Sequence, residues 1–329
     1  MGVSSRGRVP QIGTYQNYLT ACQAECVSAT TNPLVAPDAT LEQLFDGAAW
    51  AEGPAWVPAS RTLRFSDIPN NRILSFDPAT GATTVHRGDA EFANGRTIDR
   101  DGNVVECSHG RRSVDREVDG VPETIVDHWA GGRFNSPNDV IVASDGAVWF
   151  TDPPYGLHPS GREGRPGTQD YDGCFVFRVD PGTGEAEPVI TDMVHPNGLA
   201  FSPDETVLYV ADTGFYGDKK DARYLLAYDI GLAEPAGSNP PAATHRRVFA
   251  TVEPGAADGF RVDGAGRVWT SSGDSVQVFA PDGELLLRIP VPETVSNLCF
   301  GGDDGHDLYI TSARGLYRIR TLVNQASRP

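Results

Sequence analysis

The sequence predicts an all-β fold, a six-bladed β-propeller with a short helical N-terminal extension. Two observations carry this. A short unit recurs six times in one register, and turn residues punctuate the whole chain. In each unit an oxygen-bearing side chain precedes an apolar run by 9 or 10 residues: Glu52 before 62–67, Asn94 before 103–107, Asn138 before 147–152, Asn197 before 207–212, Asp258 before 267–270 and Asn297 before 307–311.

A second apolar run follows each first one, at 72–76, 112–114, 174–177, 224–228, 276–279 and 316–319. Tight-turn pairs such as Asp101-Gly102, Asp145-Gly146 and Pro203-Asp204 separate the strands of a unit. The units start 39 to 61 residues apart, room for the four strands of a propeller blade. The two longest carry insertions, at 153–172 and at 213–223 or 231–245. The run 39–45 reads as a strand that completes the last blade, so that both chain ends close the ring. Residues 39–322 are then the propeller and 323–329 a tail. Residues 1–38 lack the repeat. Tyr15, Tyr18, Leu19, Cys22 and Cys26 have helical spacing, ended by Asn32-Pro33. This segment is expected to be a helical extension on the body or a partial lid.

Composition narrows the function. The net charge is -17, with 27 basic against 44 acidic residues. Nucleic-acid binding requires a basic face and is not expected. Acidity concentrates cations around a protein, or serves solubility alone. No apolar run is long enough to span a membrane, and no apolar stretch follows Arg6 and Arg8 as a secretory signal requires. Five scattered cysteines, an odd number without a CxxC pair, make a reduced cytoplasmic protein the default. Cys22 and Cys26 read as buried thiols, a redox pair or part of a metal site.

Equivalent positions in successive blades converge on the propeller axis. Glu52, Asn94, Asn138, Asn197, Asp258 and Asn297 therefore form a ring of oxygens. A hard divalent cation such as Ca²⁺ takes this donor set, and the lack of His and Cys in the register disfavours zinc or copper as the native ion. The plainer reading is that the position starts each inner strand, and that its polar group bonds the next blade. Six in register, two of them carboxylates, favour the cation.

With these motifs placed, the chain resembles the gluconolactonase branch of the senescence-marker-protein-30/gluconolactonase family. The resemblance rests on residues 50–56, 65–73, 135–140 with 150–156, 196–204, 254–261 and 289–302. It implies a six-bladed propeller with one axial divalent cation, usually Ca²⁺, with Mg²⁺, Mn²⁺ or Zn²⁺ as substitutes. The implied metal ligands are Glu52, Asn138, Asn197 and Asp258, with Asp258 also the general base. Asn94, His109, Asn297 and Tyr155 are candidate substrate-side residues, Asn94 or Asn297 as donors to the developing oxyanion. For His109 the alternative is a strand-end residue with a satisfied backbone bond, and for Tyr155 a loop tyrosine packed over a blade. In the mammalian branch an Arg two residues before the first metal-side Asn contacts the sugar; the position here, two before Asn138, is Ser136, so that contact does not transfer.

The expected activity is hydrolysis of a sugar-type lactone to its hydroxy acid, by a monomer or homodimer acting on a small molecule. The rivals are hydrolysis of another lactone or an organophosphate ester at the same site, and a non-catalytic propeller with the metal as a plug. The loop tips 160–163 and 218–221 read as solvated, which disfavours a protein-binding top face. Phe92, Trp129, Phe134 and Tyr155 are candidates for an apolar mouth.

Overall fold

The computed structural model describes residues 18–20, 25–26, 34–214, 223–231 and 242–326. Six antiparallel sheets stand around an axis as the blades of a β-propeller, and a two-stranded hairpin lies between the second and third. The innermost strands are Ala51–Val57, Ala93–Ile98, Val140–Val142, Pro196–Phe201, Phe260–Val262 and Val295–Gly301. Each packs beside the next, and the sixth packs beside the first. The predicted first and second apolar runs become the second and third strands of every blade.

The ring closes where the sequence predicts. Leu41–Asp46 is the outer strand of blade 6, pairing with Gly315–Arg320 in a ladder that sets Asp46 opposite Gly315. An early strand thereby locks to the last one, and neither edge of the ring is left open.

The helical extension is corrected. Among its described residues, Tyr18–Thr20 pairs with Leu41–Asp46, and Glu25–Cys26 pairs with the outer strand of blade 5, Leu285–Pro290. An outer blade strand presents a row of unpaired backbone groups, and a passing chain satisfies them as an added strand. That tertiary demand overrides helical spacing. The rest of 1–33, including Cys22, lies outside the described residues, as do the loop tip 218–221 and most of both blade-4 insertions.

The apolar core sits between blades. Five clusters fill the junctions, for example Phe134, Phe150 and Phe177 between blades 2 and 3, and Phe45, Phe65 and Tyr309 between blades 6 and 1. Trp129 packs edge-on against Phe177, so Trp129 and Phe134 belong to this core and not to a mouth. The junction of blades 1 and 2 differs. It holds few apolar side chains, and Arg64 meets Glu117 at 2.6 Å while Arg87 pairs with Glu106. Among the described residues, the buried cysteines Cys107, Cys174 and Cys299 are free. Among the described residues no helix is long and apolar enough to cross a membrane.

Candidate active site

The repeated oxygen-bearing residues all stand at or just before the start of an inner strand, so they share one end of the axis. Strand pairing is irregular there. The register shifts between Glu52 and Ala55, between Ala93 and Arg96, between Pro196 and Leu199, and between Val295 and Asn297. Such bulges re-aim a side chain and are common beside functional sites.

The residue that follows explains the Asn-Gly and Asp-Gly pairs. They are not turns. The neighbouring blade's backbone passes too close for a side chain: a Cβ on Gly198 would lie 2.2 Å from the Asp258 carbonyl oxygen, and one on Gly95 2.6 Å from that of Asn138. The same glycines donate their N–H groups to those carbonyls, at 3.0 and 2.8 Å. Each hydrogen bond fixes the spacing between adjacent members of the ring.

A second repeat positions the ring from behind. A buried aspartate ends the second strand of blades 1, 3 and 4, and its carboxylate accepts backbone N–H groups three and two residues before the ring residue. Asp67 holds Ala49 at 2.8 Å and Trp50 at 3.5 Å ahead of Glu52. Asp152 holds Asn135 and Ser136 at 2.7 and 2.8 Å ahead of Asn138. Asp212 holds Val194 and His195, both at 3.0 Å, ahead of Asn197. The sequence reading missed this role, although its signal is visible as an Asp closing each of these apolar runs.

Glu52, Asn94, Asn138, Asn197, Asp258 and Tyr155 line one cavity of about 410 Å³, together with Glu163 and an apolar wall that includes Trp50, Ile68 and Val295. This volume falls within the ~300–1,000 Å³ usual for small-molecule sites. Phe92 does not line it. His109 and Asn297 stand behind the wall. A larger opening of about 510 Å³, lined by Trp56, Arg96 and Arg261, lies at the far ends of the inner strands and away from the ring.

Asn297 Nδ2 donates to Glu52 Oε2 at 2.9 Å, while its Oδ1 accepts from Leu298 N at 2.8 Å. Both ends of this amide are engaged, and it steadies Glu52. His109 Nδ1 lies 2.8 Å from the Glu163 carbonyl oxygen, so Nδ1 carries the proton and Nε2 is an acceptor. Nε2 stands 3.2 Å from Asn94 Nδ2. The opposite amide orientation would set two acceptors face to face. Burial pushes the His109 pKa down to about 4, which keeps the ring neutral. Asn197 Nδ2 donates to Thr213 Oγ1 at 3.3 Å, and the same hydroxyl meets Tyr155 Oη. His109, Asn297 and Thr213 thus each take up an amide or carboxylate contact of a ring member.

Among the described residues, Glu52 Oε1 and Asn94 Oδ1 are buried with no hydrogen-bond partner. Burial pushes the Glu52 pKa up to about 7, with the nearby Asp139 adding to the rise. Asp258 is raised well above the ordinary carboxylate range by burial and then by Glu52 and Glu163. Unpartnered oxygen and crowded carboxylate charge are costly inside a protein, and a hard cation relieves both. The donors are carboxylate and amide oxygens only, the set that suits Ca²⁺. Among the described residues no three His, Cys, Asp or Glu side chains cluster as a metal group, so amide oxygens must complete the set. On these grounds the residues fit a divalent cation.

A six-bladed propeller with an oxygen-lined axial cavity defines the class of protein. Residues 50–314 match the family described as SMP-30/Gluconolactonase/LRE-like region, and the chain belongs to that family. It is 33% identical over 301 residues to a gluconolactonase of Zymomonas mobilis, covering 85% of this chain and 81% of that protein. It is 35% identical over 272 residues to the pentonolactonase XacC of Haloferax volcanii, covering 80% and 81%. Among solved structures it resembles a gluconolactonase from Xanthomonas campestris, with a TM-score of 0.82, 38% identity and coverage of 92% and 97%.

Proposed function

We propose that this protein is a lactonase that hydrolyses a sugar-type lactone to its hydroxy acid, using a divalent cation, Ca²⁺ foremost. One observation carries the reading: four candidate ligands and the unpartnered oxygens of Glu52 and Asn94 belong to a single small-molecule cavity. The gluconolactonase and pentonolactonase relatives support the lactone as substrate class.

Glu52, Asn138, Asn197 and Asp258 would hold the cation. When bound it supplies a Lewis acid and a template for the lactone carbonyl. Asp258, half-buried on the cavity wall, is positioned to accept a proton from the attacking water. Water oxygen adds to the acyl carbon, the bond from that carbon to the ring oxygen breaks, and the ring oxygen leaves as a hydroxyl, taking the proton that Asp258 received from the water. The product is one open-chain hydroxy acid. His109 and Asn297 act from behind, by fixing Asn94 and Glu52.

The test is Asp258→Asn, assayed with a pH indicator on D-glucono-1,5-lactone, δ-valerolactone and an organophosphate triester. The reading predicts lactone turnover by the wild type and a fall of about 10²–10⁴-fold in the variant. Triester turnover without lactone turnover would replace it with the phosphoester alternative. No turnover of any substrate would favour the binding module.

A further inference from the structure

We propose that Glu163, on the loop 153–172, reads the hydroxyl groups of the substrate, accepting hydrogen bonds from a polyhydroxylated ring seated in the cavity. The inference deepens the lactonase reading and rests on it for the bond cleaved, while the ligand class follows from Glu163 itself.

The loop was expected to have a solvated tip at 160–163. Ser160 and Arg162 are exposed, but Glu163 is half-buried and lines the cavity together with Asp258. The loop is strapped at several points. Ser136 Oγ donates to the Pro153 carbonyl at 2.5 Å and accepts the Gly156 N–H at 2.9 Å. Gly164 packs on Gly156 so closely that a Cβ would lie 2.3 Å from the Gly156 carbonyl oxygen. Beyond it, Gly167 N donates to the Leu157 carbonyl at 3.1 Å. Arg162 reaches the Ala49 carbonyl at 3.3 Å, and Arg165 pairs with Glu91 at 2.7 Å. The loop thus leaves blade 3, ties down to segments flanking blade 1, and hands its Glu163 carbonyl to His109.

The Glu163 carboxylate makes no hydrogen bond or salt bridge among the described residues, although Arg162 and Arg165 flank it in sequence. An ionised carboxylate only accepts hydrogen bonds, and a polyol offers several donors. An anionic ligand is disfavoured, because Glu52 and Asp258 face the same space. Burial raises the Glu163 pKa, as partial removal from water requires.

The experiment compares wild type, Glu163→Gln and Glu163→Ala. It measures kcat/KM for D-glucono-1,5-lactone and for unsubstituted δ-valerolactone, and the calorimetric Kd of D-glucono-1,5-lactam, a stable polyhydroxylated isostere. The proposal predicts that both variants lower the ratio of the two kcat/KM values about tenfold or more, chiefly through KM, and weaken lactam binding similarly, as loss of a hydrogen bond to a charged group does. A ratio and a lactam Kd within about twofold of wild type overturn it. If the wild type hydrolyses neither lactone, the lactonase reading fails separately. Lactam affinity then decides: binding lost in both variants supports Glu163 as the hydroxyl reader, and unchanged or absent binding overturns it.

Discussion

His109 Nε2 accepts a hydrogen bond from Asn94 Nδ2 at 3.2 Å, and this contact leaves Asn94 Oδ1 as the free end of the amide. On the proposed reading His109 is a positioning residue behind the ring. His109→Phe removes the acceptor and keeps an aromatic ring. Asn94 is not among the four proposed ligands, but its unpartnered Oδ1 lines the same cavity. If that oxygen also faces the cation, the variant should weaken Ca²⁺ binding about 10–100-fold, as loss of a group orienting a ligand typically does. Calorimetric titration of metal-stripped protein checks this, with circular dichroism as the folding control. Unchanged affinity would mean that Asn94 needs no such support.

The cation-free protein should lose stability as pH rises. Glu52 has an ordinary carboxylate pKa of 4.5 when unfolded and about 7 when folded, because burial opposes its charge. A raised carboxyl contributes stability that is complete below about 4.5 and lost as pH climbs to about 7. Asp258 shifts in the same direction. Chelator-treated protein should therefore melt lower at pH 7.5 than at pH 5, and Glu52→Gln should reduce that difference. Saturating Ca²⁺ should remove most of it, because the cation takes the proton's place. A melting temperature that rises over this interval without metal would contradict the assignment of buried charge.

Gly259 is the tightest point of the ring. A Cβ there would lie 1.9 Å from Asn297 Cγ, and Asn297 is the residue that steadies Glu52. Gly259→Ala should destabilise the fold by roughly 1–3 kcal/mol, the usual cost of overpacking, and should weaken metal binding. Gly88→Ala is the control, since nothing lies within 4 Å of its Cβ position. Urea unfolding of both variants, with and without Ca²⁺, separates the two effects.

The blades were legible because each repeats a two-residue alternation and a turn, local signals that the propeller reinforces. The ring was legible because a propeller turns one register into one end of the axis. What escaped depended on contacts between distant segments. The helical spacing around Tyr18 gave way to an open outer strand, which no local pattern announces. Trp129 and Phe134 looked like mouth residues, but the blade junction claims them. Asn94 or Asn297 was expected to donate to an oxyanion; the contacts their amide nitrogens make, to His109 and Glu52, depend on side chains far apart in sequence. Glu163 was hidden because its position depends on how a 20-residue insertion folds back over the ring.

The most direct measurement of the central claim is pH-stat hydrolysis of D-glucono-1,5-lactone by metal-stripped protein. Ca²⁺, Mg²⁺, Mn²⁺ or Zn²⁺ is added back singly, and Glu52→Gln is run alongside. The account predicts negligible turnover without metal, restoration by Ca²⁺, and no restoration in the variant. Full turnover by the stripped wild type, or equal restoration in Glu52→Gln, would contradict it.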